Sequence, residues 1–494
     1  MFKKIRGYLF SNKNTKQTVV KNIFWLSFGQ IASRGIRAFI IVYSARILGT
    51  AEYGVFSYAL GLAGFFTLFA DIGLSSILTR EASQKPEKAK IYFSTTFCIK
   101  AVLLFFTALA VIFISPYFSR IEGAKAILPF IALLVIFDNV REFANAYFRA
   151  KEKMELEAFV TLFMNVAIAI FGFVILNYSR TAGAITLSYI SSAGLGMLAA
   201  VFILKDEFLG IVRNFRIELV RGIFSSAWSI AVISLLGVFM LNIDLVMLGW
   251  LRTSSDIGLY SAGQRIVQVL YTLPAILASG TFPALSRSIG KHDPAQTRSI
   301  IERTIGIAFL ITLPLVTGGI VLGVPIINFV FGSEYAAGSL TFQILMMTLI
   351  FVTPGTLIGN FILGYDRQRD VAKFVAFASL GNIILNYLLI QPFGIAGAAL
   401  ATILVQSFYN IFMWRFAKKI NNFRTFRYLK KMGAATLIMG IAAFFMNTIH
   451  IHVIINIIIS SLVYLLSLII LKEPFILEIK NFIAILQNKQ KETV

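Results

Sequence analysis

The sequence predicts an all-α polytopic membrane protein of about 14 transmembrane helices, built as two pseudo-symmetric six-helix lobes plus two C-terminal helices. Three observations predict it: long apolar runs, strict alternation of basic segments between them, and a weak internal repeat. The chain has 494 residues, 58% of them hydrophobic and 14% charged, more apolar surface than a water-soluble core needs. A spanning helix takes about 20 mostly apolar residues. Helices or closed barrels alone satisfy their backbone in lipid, and these runs are too long and continuous for barrel strands.

The elements follow in order. The polar, basic stretch 1–21 leads into span 1 (22–46), and Arg46 marks the far side before span 2 (53–77). The basic segment 78–90 precedes span 3 (91–114), and Arg120 and Lys125 separate it from span 4 (126–147). Segment 148–155 leads to span 5 (156–177), and Arg180 lies between it and span 6 (183–204). Segment 205–223 precedes span 7 (224–250), with Arg252 before span 8 (258–283). Segments 284–303, 364–373 and 415–431 then precede spans 9 (304–327), 11 (372–390) and 13 (432–448). Spans 10 (338–363), 12 (394–414) and 14 (453–471) return to the same side, ending in the tail 472–494. These alternate segments hold 35 of the 45 Lys and Arg, and the opposite loops hold five. By the positive-inside rule both termini are expected in the cytoplasm of a multi-pass cell-membrane protein. The stretch 1–21 and its arginine-bearing span are expected to form a retained helix rather than a cleaved signal.

Short matches recur at a nearly constant offset. Val20-Lys21-Asn22-Ile23-Phe24 matches Val220-Arg221-Gly222-Ile223-Phe224, and Leu48-Gly49 matches Leu248-Gly249. Gly54-Val55-Phe56-Ser57 matches Gly258-Leu259-Tyr260-Ser261, Phe159-Val160 matches Phe374-Val375, and Ala182-Gly183-Ala184 matches Ala396-Gly397-Ala398. An even repeat of six spans gives two copies in one orientation, related by an axis along the membrane normal. The expected organisation is an N-lobe (1–204), an interfacial linker (205–223), a C-lobe (224–417), spans 13 and 14 (418–471) and an amphipathic tail (472–494). In the linker, Phe208, Ile211, Val212, Phe215 and Leu219 lie at helical spacing; in the tail, Ile476, Ile479, Ile483 and Leu486 do so.

An ionisable group at bilayer depth costs about 2.5 to 3.5 kcal/mol and usually faces a water-filled cavity. Here such groups are mostly cationic, which points to an anionic substrate. Span 1 carries Ser27, Gln30, Arg34, Arg37 and Ser44 near one helical face. Two arginine forks one turn apart suit a pyrophosphate; the bland alternative pairs them with carboxylates such as Asp71 or Asp138. Span 8 carries Ser261, Arg265, Gln268 and Thr272, with Arg265 expected to face the span 1 arginines or to make an internal ion pair. Lys100 sits roughly 13 Å into span 3 at 1.5 Å per residue, where it reaches either the cavity or, by snorkelling, the interface. Asp138, Arg141 and Glu142 read as a gate or a local pair. Asp244 in span 7, Asn382 and Asn386 in span 11 and Thr402 in span 12 are oxygen ligands that suit a hard cation such as Na⁺; as a bland alternative the asparagines join helices.

Several classes are set aside. The net charge of +22 is topological, so no nucleic acid is expected. The lone Cys98 excludes an intrachain disulfide, and His450 with His452 offers two ligands where a metal site needs more. No Walker loop or catalytic triad is present, so neither an enzyme nor a cofactor is expected. A glycan polymerase would be expected to carry a large outer loop.

The run Ser44-Ala45-Arg46-Ile47-Leu48-Gly49-Thr50-Ala51-Glu52-Tyr53-Gly54-Val55-Phe56-Ser57 resembles the signature of the polysaccharide transporter family. So do Ala70-Asp71-Ile72-Gly73-Leu74, Thr79-Arg80-Glu81, Ala146-Tyr147-Phe148-Arg149-Ala150 and Pro392-Phe393-Gly394-Ile395-Ala396-Gly397-Ala398-Ala399. The resemblance covers about residues 15–420. It implies an oligosaccharide flippase of the multidrug/oligosaccharidyl-lipid/polysaccharide exporter superfamily, moving a polyprenyl-(pyro)phosphate-linked glycan outward by alternating access with Na⁺ or H⁺ coupling. In related lipid II flippases a cation site uses an acid on span 7, two polar residues on span 11 and a threonine on span 12; Asp244, Asn382, Asn386 and Thr402 occupy similar positions. The second span 11 residue is a carboxylate in those relatives, and Asn386 lacks that charge. Expected partners are the glycolipid, membrane lipids and a polysaccharide polymerase or glycosyltransferases, with the chain a monomer. The alternatives are a lipid II flippase and a multidrug exporter of the same fold.

Overall fold

Two glycines set the turns that the hydropathy pattern leaves open. The computed structural model describes residues 15–425 and 429–475. Its first helix, Thr15–Asp71, breaks once, at Gly49 (φ 70°, ψ 177°). Helix Gln368–Ile420 breaks at Gly394 (φ 58°, ψ −137°). Side chains rarely adopt such φ, whereas glycine does so freely. Spans 1 and 2, and spans 11 and 12, are therefore joined with almost no loop. Eleven helical segments among the described residues are long and apolar enough to cross a membrane. Lys21–Asp71 and Arg369–Ile420 each contain two expected spans, and span 7 lies on Glu218–Leu251. The fourteen expected spans are compatible with this arrangement of helices.

Span 2 is interrupted by a turn with positive φ. Span 2, read as 53–77, stops at Asp71, and a new helix runs Leu74–Gln84. Ile72 (φ 38°) and Gly73 (φ 81°) turn the chain between them. The Asp71 carboxylate caps the new helix, accepting from Ser75 N at 3.2 Å and from Ser75 Oγ at 2.9 Å. Elsewhere helices start where the side chains dictate. Asp293 caps Pro294–Val321 by accepting from Gln296 N at 2.8 Å, with proline at N1 where its missing N–H costs nothing. Thr181 caps Ala182–Ile203 in the same way.

The chain divides into two compact units, Met1–Gly258 and Leu259–Val494. In the first unit, Thr15–Asp71 packs on Met154–Tyr178, and Ala182–Ile203 packs on both Glu122–Ala150 and Met154–Tyr178. Leu74, Ile77, Phe93, Phe143, Tyr147 and Phe148 form a buried cluster. Cys98, in Ala89–Leu109, is half-buried. Tyr117 and Tyr178 stand exposed beside expected outer turns, and Val212 is exposed beside an expected inner one. Helix Glu218–Leu251 belongs by sequence to the second repeat, yet it packs within the first unit: Gly249 lies under the Tyr58 ring, and the tilted rings of Phe65 and Phe239 lie 5.6 Å apart.

The repeat-related glycines Gly54 and Gly258 meet in this unit. A Cβ on Gly54 would run into the Ser254 carbonyl, and one on Gly258 into the Thr50 carbonyl. Thr50 Oγ1 and Ser255 Oγ lie 2.7 Å apart beside them. Overpacking of this kind costs about 1–3 kcal/mol. Gly54→Ala should therefore lower the thermal midpoint of the purified protein, while Gly35→Ala, whose added carbon meets nothing within 4 Å, should hold or raise it. An unchanged midpoint for Gly54→Ala would rule out the backbone contact.

The linker is not one amphipathic helix. It forms two short helices, Lys205–Leu209 and Ile211–Asn214, divided at Gly210. Phe208 inserts against Phe93 and Phe97, 5.1 Å from each ring, and Ile211 and Leu219 pack on the same cluster. Val212 takes no part and is exposed. The expected tail helix (Ile476, Ile479, Ile483, Leu486) lies outside the described residues.

In the second unit, Ile358, Phe361, Met413, Phe423, Met432 and Leu468 belong to one buried cluster. Spans 13 and 14 pack on each other, and Leu429–Thr448 packs on Pro294–Val321. Tyr464 donates to the Leu310 carbonyl at 2.8 Å, tying span 14 to the same helix.

Candidate functional site

The span 1 stripe opens onto a cavity. A space of about 410 Å³ lies among helices Thr15–Asp71, Glu122–Ala150 and Met154–Tyr178, lined by Gln30, Arg34 and Arg37 together with Arg141, Glu142, Arg149, Glu157 and Asn165. The stripe's outer members are not part of it. Ser44 is buried and donates to the Ile40 carbonyl at 2.6 Å, and Ser27 does not line the space. Near the start of span 1, Lys21 pairs with Glu155 at 2.9 Å and donates to the Glu152 carbonyl. Arg34 lies roughly 20 Å along the axis from Lys21 at 1.5 Å per residue.

The charges within the cavity are unevenly matched. Arg141 Nη1 lies 2.9 Å from Glu142 Oε1, and Arg149 Nε lies 3.1 Å from Glu157 Oε2. Arg149 also reaches Glu142 at 3.5 Å, and Arg141 reaches Asp138 at 3.1 Å. Every carboxylate of the lining is thus held by Arg141 or Arg149. Arg37 donates from Nε to Asn165 Oδ1 at 3.2 Å, a neutral partner that orients the guanidinium without cancelling its charge. Arg34 and Gln30 make no hydrogen bond or ion pair among the described residues, and both are exposed. Four arginines face two glutamates, and the excess sits on Arg34 and Arg37.

The carboxylates named as alternative partners for these arginines are engaged elsewhere. Asp138 holds Arg141, and Asp71 holds Lys100. Lys100 is fully buried, with Nζ 2.7 Å from Asp71 Oδ1, 3.4 Å from Ser75 Oγ and 5.8 Å from the centroid of the Phe143 ring. It does not snorkel, because a buried ammonium with a carboxylate in contact gains nothing by reaching for the interface. Nor does it line the cavity.

The remaining predicted residues divide between the units. Arg265 is half-buried in the second unit, and its Nη1 donates to Gln268 Oε1 at 3.4 Å, with no carboxylate partner among the described residues. Asp244 is buried in the first unit. Asn382 and Asn386 are buried in the second, where Asn386 Nδ2 donates to Asn382 Oδ1 at 2.9 Å. Thr402 Oγ1 donates to the Ala398 carbonyl at 3.0 Å. His452 caps Val453–Ile470 through Nδ1, and no group of three metal-ligating side chains occurs among the described residues.

Arg149, Glu157 and Asn165 enter the site without having been named for it from sequence. Arg149 sits in the Ala146–Ala150 motif, and Glu157 follows it across the short turn between spans 4 and 5. That proximity was the available signal.

Comparison with known proteins agrees with this architecture. The profile of the family described as polysaccharide biosynthesis protein matches residues 19–289, and the MatE profile matches residues 229–388. The probable low-salt glycan biosynthesis flippase Agl15 of Haloferax volcanii is 24% identical over 77% of this chain and 79% of its own length. The capsular polysaccharide biosynthesis protein CapF of Staphylococcus aureus is 20% identical over 81% of this chain and all of its own. Among solved structures, the lipid II flippase MurJ in an inward closed conformation superposes with a TM-score of 0.72 at 17% identity, covering 91% of this chain and 99% of that one. With more than half of its length matched by the family profile and its helices following the fold of that structure, the chain belongs to the polysaccharide biosynthesis protein family.

Proposed function

We propose that this protein is a flippase that carries a polyprenyl-(pyro)phosphate-linked oligosaccharide from the cytoplasmic to the outer leaflet by alternating access. The observation that carries the reading is the pair Arg34 and Arg37, uncompensated in a cavity whose carboxylates are already paired. A diphosphate would supply the missing negative charge and accept from both guanidinium forks, and Gln30 adds a neutral donor one turn away. The names of the similar proteins, a glycan flippase and a capsular polysaccharide protein, support the substrate class. The basic segments support a cytoplasmic position for both termini. Coupling to Na⁺ or H⁺ through Asp244, Asn382, Asn386 and Thr402 is part of the same reading. Arg265 and Gln268 are further candidate substrate contacts.

The MatE match over residues 229–388 favours a multidrug exporter as the second reading. Thermal stabilisation of the purified protein separates the two, since a ligand that binds the native state raises its midpoint by mass action. A glycan-pyrophosphate-polyprenol should raise the midpoint and a lipophilic organic cation should not. Stabilisation by the cation alone would transfer the assignment to drug export.

A further inference from the structure

We propose that the groove between the two halves of helix Gln368–Ile420 binds an anionic phospholipid, with one acyl chain in the groove and the phosphate at a basic collar at its end. The groove encloses about 470 Å³, and its nine lining residues are apolar or aromatic, with the Tyr409 hydroxyl as their one polar side-chain group. That volume lies within the roughly 300–1,000 Å³ of small-molecule sites, and such walls suit a hydrocarbon chain. Phe374 closes one end, stacked on Phe412 at 6.4 Å and meeting Phe416 edge-on at 5.7 Å.

The collar begins at that end. Arg367 lies over the Phe416 ring at 5.9 Å. Phe408, Phe412, Arg415 and Lys419 follow i, i+4, i+7, i+11 and so share one helical face. Arg415 and Lys419 are exposed and make no ion pair among the described residues. Arg367 has one carboxylate, Asp370, at 3.3 Å. An apolar groove that leads into unpaired cations matches a lipid with a long chain and an anionic head, because basic pockets between spanning helices are where such heads lodge. A zwitterionic lipid would fill the groove but leave the collar unpaired. This inference is independent of the flippase reading.

The test uses the full chain in detergent, titrated with phosphatidylglycerol or with phosphatidylcholine of the same dioleoyl chains, following the thermal midpoint. Phosphatidylglycerol should stabilise the protein at about ten-fold lower concentration than phosphatidylcholine. Gly381→Leu fills the groove, and the added carbon at Gly381 meets nothing within 4 Å, so the fold should tolerate it; this variant should lose the effect of both lipids. Arg415→Gln/Lys419→Gln changes exposed positions and should reduce phosphatidylglycerol to the level of phosphatidylcholine. Equal stabilisation of the parent by the two lipids would overturn the proposal, as would a phosphatidylglycerol effect that survives Gly381→Leu or a preference for phosphatidylglycerol that survives Arg415→Gln/Lys419→Gln. Preferential stabilisation by a polyprenyl phosphate would also overturn it and assign the groove to a substrate chain.

Discussion

An Arg34→Ala/Arg37→Ala variant should fold as the parent does and lose flipping of a pyrophosphate-linked glycan by a factor of about 100 or more. The magnitude follows from the bonds removed. A hydrogen bond to a charged group contributes about 1.5–3 kcal/mol, and two lost together weaken binding by about 3–6 kcal/mol, a factor of roughly 10² to 10⁴. Folding should be spared because neither guanidinium holds a carboxylate: Arg34 makes no hydrogen bond among the described residues and Arg37 donates to neutral Asn165. The measurement is glycolipid transfer in proteoliposomes, with thermal midpoint and gel filtration as controls. Normal transfer by the double variant would remove the phosphate clamp. Loss of transfer with a lowered midpoint would instead make the arginines part of the scaffold.

The second large effect concerns stability. Asp71→Ala leaves the fully buried Lys100 ammonium without its carboxylate. Breaking a buried pair by removing one partner costs about 3–5 kcal/mol, whereas replacing both partners by apolar groups is often neutral. Asp71→Ala should therefore lower the thermal midpoint sharply, and Asp71→Ala/Lys100→Met should recover most of the loss. If the double variant proved as unstable as the single, the pair would not be the origin of the effect. The same substitution also deletes the cap on Leu74–Gln84, so the recovery should be incomplete by about 1 kcal/mol.

The legibility of these features in the sequence depends on how far apart their parts lie along the chain. The spans were legible because hydropathy is local and the basic segments alternate. The Gln30, Arg34 and Arg37 stripe was legible because three positions on one helix share a face whatever surrounds them. The Asp71–Lys100 pair was not, since the residues lie on different helices and no periodicity connects them. The same holds for Arg149 with Glu157 and for Arg37 with Asn165. The break at Asp71–Gly73 was hidden for another reason: Ile-Gly-Leu is apolar, so a hydropathy window reads through it, while the carboxylate that ends the helix appears as one more intramembrane charge. The linker was misread because Phe208, Ile211 and Leu219 fit a helical wheel although Gly210 divides it.

The half-buried thiol of Cys98, the single cysteine of the chain, gives the protein an unusual experimental transparency. A cysteine introduced at Tyr117 or Tyr178, which are 90% and 88% exposed, would be labelled by a membrane-impermeant maleimide over a nearly silent background. One introduced at Val212, 89% exposed, would report the opposite side of the expected topology. Three single substitutions thus turn a charge-counting argument about orientation into a direct chemical readout in intact cells.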